Sequence, residues 1–220
     1  MSTETNLRVS EIFHSIQGES SLAGWPCAFV RLAGCGHGCR YCDTTYAEEA
    51  GTVMTVEQIV RRVLAFDAPC IEVTGGEPLL QPGAFELLSE LCDRHPVVLL
   101  ETGGFLPVER VDPRVHAIID IKAPSSGVAA ENCATNFALA LDTPERFEFK
   151  IVVASREDYE WAKSYIAGHG LPGKCSIIFG PVFGHLEPRL LAEWILRDRL
   201  PVRMQLQLHK YIWQPDARGV

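Results

Sequence analysis

Seven short apolar runs rich in β-formers punctuate the chain: CAFVRLAG (27–34), CIEVTGG (70–76), VVLLETGG (97–104), VHAIIDIK (115–122), FEFKIVVAS (147–155), KCSIIFG (174–180) and VRMQLQLH (202–209). Most do not alternate cleanly, which predicts strands covered on both faces. Helical spacing separates several of them. TVEQIVRRVLAF (55–66) opens on an N-cap residue, Thr55, and places Ile59, Val60, Val63 and Leu64 on one stripe. PGAFELLSELCDRH (82–95) has Pro82 at its first turn, and SREDYEWAKSYIAG (155–168) runs from a Ser cap to a Gly stop. EPRLLAEWILRDR (187–199) gathers Leu190, Leu191, Trp194 and Ile195. Residues 43–53 and 124–143 lack a period and are predicted to be long loops.

Strands alternating with helices predict an α/β fold with a parallel sheet and right-handed crossovers. A complete eight-fold barrel takes about 250 residues. With 220 residues in one domain spanning 1–220, the expected fold is a partial (β/α) barrel of about six parallel strands, open on one side. Chemistry in such folds sits at the C-terminal strand ends. That puts Cys35, residues 74–78, residues 101–104 and Lys122 on one rim.

Composition narrows the function classes. The formal net charge of −8 argues against a nucleic-acid-binding surface, and no apolar run nears the length of a membrane span. The first residues, MSTETNLRVSEIF, show neither the charged nor the apolar region of a secretory signal, so a cytoplasmic location is expected. Eight cysteines in such a chain read as metal-binding or buried. Cys27, Cys70, Cys92, Cys133 and Cys175 are scattered singly and are expected to be small buried hydrophobes.

The other three stand together in GCGHGCRYCD (34–43): Cys35, Cys39 and Cys42 follow C-x3-C-x2-C directly after an apolar run. Flanking glycines permit a tight loop in which three sulfurs converge. Soft thiolates select zinc or an iron–sulfur cluster. Structural zinc wants four ligands, and His37 could be the fourth, but no downstream C-x2-C completes a zinc pair. A 4Fe–4S cluster held by three cysteines leaves one iron open, as catalysis requires.

With an aromatic residue, Tyr41, before the last cysteine, this motif resembles the signature of the radical S-adenosylmethionine (SAM) superfamily. EVTGGEP (72–78), at the end of the next strand, is similar to that superfamily's GGE motif, which holds the SAM ammonium. Glycine backbone at Gly75 and Gly76 can approach a ligand closely, while Glu77 binds the ammonium or orients the loop. Further pieces resemble the 7-carboxy-7-deazaguanine synthase family of queuosine biosynthesis: EIFHSIQGE (11–19), GWP (24–26), FVRLAGC (29–35), CDT (42–44), TGGEP, ETGG (101–104), DIKAP (120–124) and QLHKYIW (207–213). They run from about residue 9 to 213.

The resemblance implies a lyase that turns 6-carboxy-5,6,7,8-tetrahydropterin into 7-carboxy-7-deazaguanine with loss of ammonia. It implies a 4Fe–4S cluster on Cys35, Cys39 and Cys42, SAM as a regenerated cofactor, and Mg2+ held by the Thr44 hydroxyl. SAM would lie near Tyr41, Cys42, Asp43, Gly75, Gly76, Glu77, Lys122 and Ser125. The pterin would meet Ile16, Gln17, Gly18, Arg31, Thr74 and Pro215. The family also implies an electron donor such as flavodoxin or ferredoxin, and a homodimer. The residues fit these roles chemically. Gln17 can donate and accept at a pterin edge. Arg31, in an apolar strand, needs an anion, whether a substrate carboxylate or a structural partner. His209 and Lys210, just after the last strand, fall near the rim or a subunit contact. Three departures stand out: Gly103 where many members have Asn, Ser20 in place of a common Gly, and the tail DARGV (216–220) beyond Pro215. The rival readings are a glycyl-radical enzyme activase and a non-catalytic zinc or iron–sulfur module.

Overall fold

A computed structural model describes residues 4–48 and 51–220. All seven predicted strands form, as β2 (Pro26–Leu32), β4 (Cys70–Gly75), β5 (Val98–Thr102), β6 (His116–Asp120), β7 (Phe147–Val153), β8 (Ser176–Pro181) and β9 (Arg203–Met204). They run parallel in that order, and β9 is only two residues long. Two further strands extend the sheet: β1 (Asn6–Ile16) pairs antiparallel with β2, and β3 (Thr52–Thr55) pairs antiparallel with the outer edge of β1. The sheet order is β3-β1-β2-β4-β5-β6-β7-β8-β9, an open sheet and not a closed barrel.

The helices fall at the predicted positions. α1 (Val56–Leu64) carries a full capping box: the Thr55 hydroxyl accepts from the Gln58 amide at 3.2 Å, and the Gln58 side chain accepts from the Thr55 amide at 2.9 Å. Its Ile59, Val60 and Val63 are buried, and Leu64 packs at the margin. α2 (Gly83–Arg94), α4 (Arg156–Gly168) and α5 (Pro188–Asp198) follow, with the Ser155 hydroxyl capping α4. The two predicted loops are partly ordered. Residues 45–48 form a 3-10 turn and β3 begins at Thr52, with residues 49–50 outside the described part. Residues 124–143 contain α3 (Thr135–Asp142), a short helix anchored by Phe137 and Ala140.

The central strands are covered on both faces, as expected, and the two faces differ in chemistry. Val30, Leu32, Val73, Leu100, Ile119 and Ile151 face the helices and build the core. Their neighbours Phe29, Arg31, Glu72, Thr74, Glu101, Asp120 and Lys150 face the concave side. The pattern is hard to see because the inner face is also largely buried, where ionisable side chains are held by ion pairs or, for Glu72, by a hydrogen bond from Gln17. At the closed end of the concave side, Phe13 stacks on Phe29 at 4.8 Å over Cys27 and Cys70. Those two cysteines are buried as expected, whereas Cys92, Cys133 and Cys175 are half-buried.

Candidate active site

The concave face holds a cavity of about 550 Å³ at the C-terminal strand ends. The cysteine loop forms one wall. It leaves β2 through Gly34, whose φ of 98° favours glycine, and turns again at Gly38, with φ of 61°. The Gly34 amide donates to the Ala47 carbonyl at 2.6 Å, and the Gly34 carbonyl accepts from the Glu77 amide at 2.9 Å. Cys35, Cys39 and Cys42 are free thiols lining the cavity. Burial pushes the Cys35 and Cys39 thiols up, with Lys122 working the other way on Cys39. Ligation therefore has to displace protons, as soft metal centres do. Among the described residues no three His, Cys, Asp or Glu side chains are grouped to hold a single metal ion. The three-thiolate set fits an iron–sulfur cluster better than a zinc ion.

Beside it, the β4 end packs directly on the cysteine loop. A Cβ on Gly76 would stand 2.5 Å from the Gly34 carbonyl oxygen and 2.7 Å from the Cys35 Cβ. Gly75 and Gly76 line the cavity. Glu77 is fully buried and turns away from it. Its carboxylate accepts from the Leu79 amide at 3.0 Å, the Thr102 hydroxyl at 2.9 Å and the Gly103 amide at 2.8 Å. Of the two roles open to Glu77, these bonds fit loop orientation. Burial still raises its carboxyl above the usual range. Gly103 has no room for a longer side chain, because a Cβ would fall 2.4 Å from the Phe105 ring, which stacks on His37 at 3.4 Å.

The floor is charged. Lys150 pairs with Glu19 and Glu101 and lies 3.3 Å from Asp120, whose other oxygen pairs with Lys122 at 2.7 Å. Glu72 is buried and accepts from the Gln17 side chain. Its burial, then the nearby Glu101, raise its carboxyl well above the usual range. Thr74 donates to Glu101 at 3.3 Å. Arg31 lines the cavity as expected, but its Nε donates to Glu11 Oε1 at 2.8 Å, so it already has a carboxylate. The Tyr46 hydroxyl donates to the same oxygen at 2.7 Å.

The last segment closes the mouth. Lys210 pairs with Asp43 at 2.6 Å, and Gly18 makes room for His209, whose Nδ1 would lie 2.1 Å from a Cβ there. Residues 215–220, including Pro215, line the cavity. Ile16, Gln17, Gly18, Tyr41, Asp43, Thr44 and Lys122 line it as well. Ser125, like Glu77, lies outside the lining, and its amide donates to Asp158 at 2.9 Å. Ser20, the substituted glycine position, has φ of 67°, which explains why glycine is favoured there.

Residues 30–182 match the radical SAM superfamily. The chain is 84% identical over 220 residues, all of both chains, to the 7-carboxy-7-deazaguanine synthase of Chlorobaculum tepidum. This chain belongs to the 7-carboxy-7-deazaguanine synthase family. A further member, from Koribacter versatilis, is 39% identical over 230 residues, covering 97% of this chain and 100% of the relative. The crystal structure of QueE from Escherichia coli has a TM-score of 0.75 at 22% identity, covering 93% of this chain and 95% of that one, and shares its fold. Membership of the radical SAM superfamily implies SAM and a 4Fe–4S cluster as cofactors. The family's motifs account for the cysteine and glycine walls. Glu11, Glu19, Tyr46, Glu72 and Lys150 were missed as site residues, although a charge inside an apolar run, as in CIEV and FEFKIVV, was a usable signal.

Proposed function

We propose that this cavity converts 6-carboxy-5,6,7,8-tetrahydropterin to 7-carboxy-7-deazaguanine with release of ammonia. The observation that carries the reading is that three free cysteine thiols, the Gly75–Gly76 backbone and a densely charged floor open onto one cavity. Cys35, Cys39 and Cys42 would hold the cluster, and Tyr41, Cys42, Asp43, Gly75, Gly76 and Lys122 would surround SAM. When bound there, cluster and SAM would supply the radical chemistry that takes a hydrogen from C6 of the pterin. Glu77 acts at one remove by fixing the glycine turn, and Ser125 by shaping the loop after β6.

The chain's own groups suit the substrate. Buried acceptors on Glu72 and Gln17 match the amino and ring N–H donors of a pterin edge. Thr74 and the Ile16–Gly18 turn flank them, and Arg31 faces the same space. The Thr44 hydroxyl, 3.5 Å from the Asp43 carboxylate, offers a hard oxygen to Mg2+ beside the thiols. Lys150, tied to three carboxylates, is locked as a cation and sets the positions of Glu19 and Glu101. The reading also carries a single domain over residues 1–220, an electron donor such as flavodoxin or ferredoxin, a homodimer and a cytoplasmic setting.

The test is anaerobic reconstitution with iron and sulfide, followed by SAM, Mg2+, a reductant and the carboxylated pterin. Formation of 7-carboxy-7-deazaguanine by mass spectrometry supports the reading, and SAM cleavage without that product overturns it. Cys39→Ala should lose the cluster's visible absorbance, whereas Cys92→Ala should keep it.

A further inference from the structure

The cavity is more acidic than basic. Eight carboxylate side chains line it against five lysines and arginines. Four of those cations are already paired: Arg31 with Glu11, Lys122 with Asp120, Lys150 with Glu19 and Glu101, and Lys210 with Asp43. The three lysines would have to give up a protein carboxylate to take a carboxylated ligand, whereas Arg31 bonds Glu11 through its Nε alone and keeps its terminal N–H groups. The fifth cation, Arg218, has no ion-pair partner among the described residues.

Arg218 is also placed where an anion is wanted. Its guanidinium carbon lies 4.1 Å from the centroid of the Tyr46 ring. The Arg31 guanidinium carbon lies 6.0 Å from the same centroid. Two guanidiniums thus share one ring, with the single carboxylate of Glu11 bonded to Arg31 and to the Tyr46 hydroxyl. The chain next to Arg218 passes the other Glu11 oxygen, where a Cβ on Gly219 would stand 3.9 Å away. Glu48 and Asp216 line the same cavity, and neither pairs with Arg218 among the described residues. Of the two guanidiniums near this ring, the one on Arg31 bonds Glu11, and the one on Arg218 faces the cavity without an ion pair among the described residues.

We propose that Arg218 is a substrate-binding residue: with Arg31 it forms a two-arginine clamp for the carboxylate of the pterin, carried in by the C-terminal segment. The proposal rests on the substrate being a carboxylated pterin. The clamp explains how a net-acidic cavity accepts an anion without breaking the Arg31–Glu11 pair. The planar fork of each guanidinium can hold one carboxylate oxygen in a fixed direction, which orients the ring as well as holding it.

The test uses the reconstituted enzyme with cluster, SAM and Mg2+, and two probes, 6-carboxypterin and the same pterin without its carboxylate. Wild type should prefer the carboxylated probe. Arg218→Gln should weaken that probe by about ten-fold, the worth of one charged hydrogen bond, and leave the other within about two-fold. Arg218→Lys should recover part of the loss, and the preference should shrink with added salt in wild type more than in Arg218→Gln. Equal preference in wild type and Arg218→Gln overturns the clamp while leaving the proposed reaction standing. Weakened SAM binding with unchanged pterin binding overturns it too, placing the cation on the cofactor. If wild type binds neither pterin, the substrate reading falls, and the clamp with it.

Discussion

Glu77 at the end of β4 accepts the Gly103 amide at the end of β5, at 2.8 Å, and so ties two rim turns together from behind. Three donors converge on this one buried carboxylate. Glu77→Gln replaces one acceptor oxygen with a donor, facing either the Leu79 amide or the Gly103 amide. One backbone N–H then loses its partner, at a cost of about 1–3 kcal/mol. Denaturant unfolding should show that loss, and SAM affinity should fall while the cysteines still bind a cluster. Unchanged stability would mean that water replaces the missing acceptor.

Gly76→Ala should do more harm than its size suggests. The new methyl would meet the Gly34 carbonyl oxygen and the Cys35 Cβ, both far inside contact distance and neither on a flexible side chain. Overpacking of this kind costs about 1–3 kcal/mol, and here it displaces Cys35, the first of the three cysteines proposed to hold the cluster. Iron content after reconstitution should drop together with the thermal midpoint. Gly168→Ala, where a Cβ meets nothing within 4 Å, is the control and should keep full iron content.

Glu72 gives a pH prediction. Its burial raises the carboxyl well above the ordinary value of 4.5, so the folded state holds a proton that the unfolded chain has released. Stability contributed by this group is fully present below the unfolded value and is lost as pH rises through the folded one. Glu72→Gln removes the titration while keeping an acceptor for Gln17. The variant should gain on wild type as pH increases from about 4.5, with unfolding midpoints compared across pH as the measurement. Parallel profiles for the two proteins would show that Glu72 titrates normally.

Thr44→Val keeps the shape of the side chain and removes its oxygen. The residue lines the cavity two positions beyond Cys42, and its hydroxyl lies 3.7 Å from the Cys42 sulfur. Turnover should stop responding to Mg2+ while visible absorbance and SAM binding stay intact. A magnesium titration that matches wild type would remove Thr44 from that role.

The sequence was most readable where local rules act alone. Thr55 and Ser155 cap the helices they were expected to cap, and all seven apolar runs became strands of the parallel sheet. β1 went unread because its 11 residues mix Glu11 and His14 with Phe13 and Ile12, and its antiparallel pairing with both β2 and β3 is not a local signal. α3 hid in a segment without a period, since eight residues with Phe137 and Ala140 as its anchors give too short a stripe. In the site, spacing exposed Cys35, Cys39 and Cys42. Pairing stayed invisible, because nothing local links Arg31 to Glu11 or Lys150 to Glu19, residues 131 apart. The reach of Arg218 across to Tyr46 is likewise a product of chain return and not of motif.

That chain return sets a schedule for maturation. The three thiols proposed to hold the cluster are made by residue 42, whereas Lys150, His209 and residues 215–220, which line the same cavity, are made later. Iron delivered early would reach three ligands with no cavity around them, and iron delivered late would have to pass the closing tail. Loading should therefore be easiest in the interval before residues 215–220 settle beside Tyr46. A chain shortened after Pro215 should keep that interval open, taking up iron faster than the full-length protein and losing it faster to a chelator.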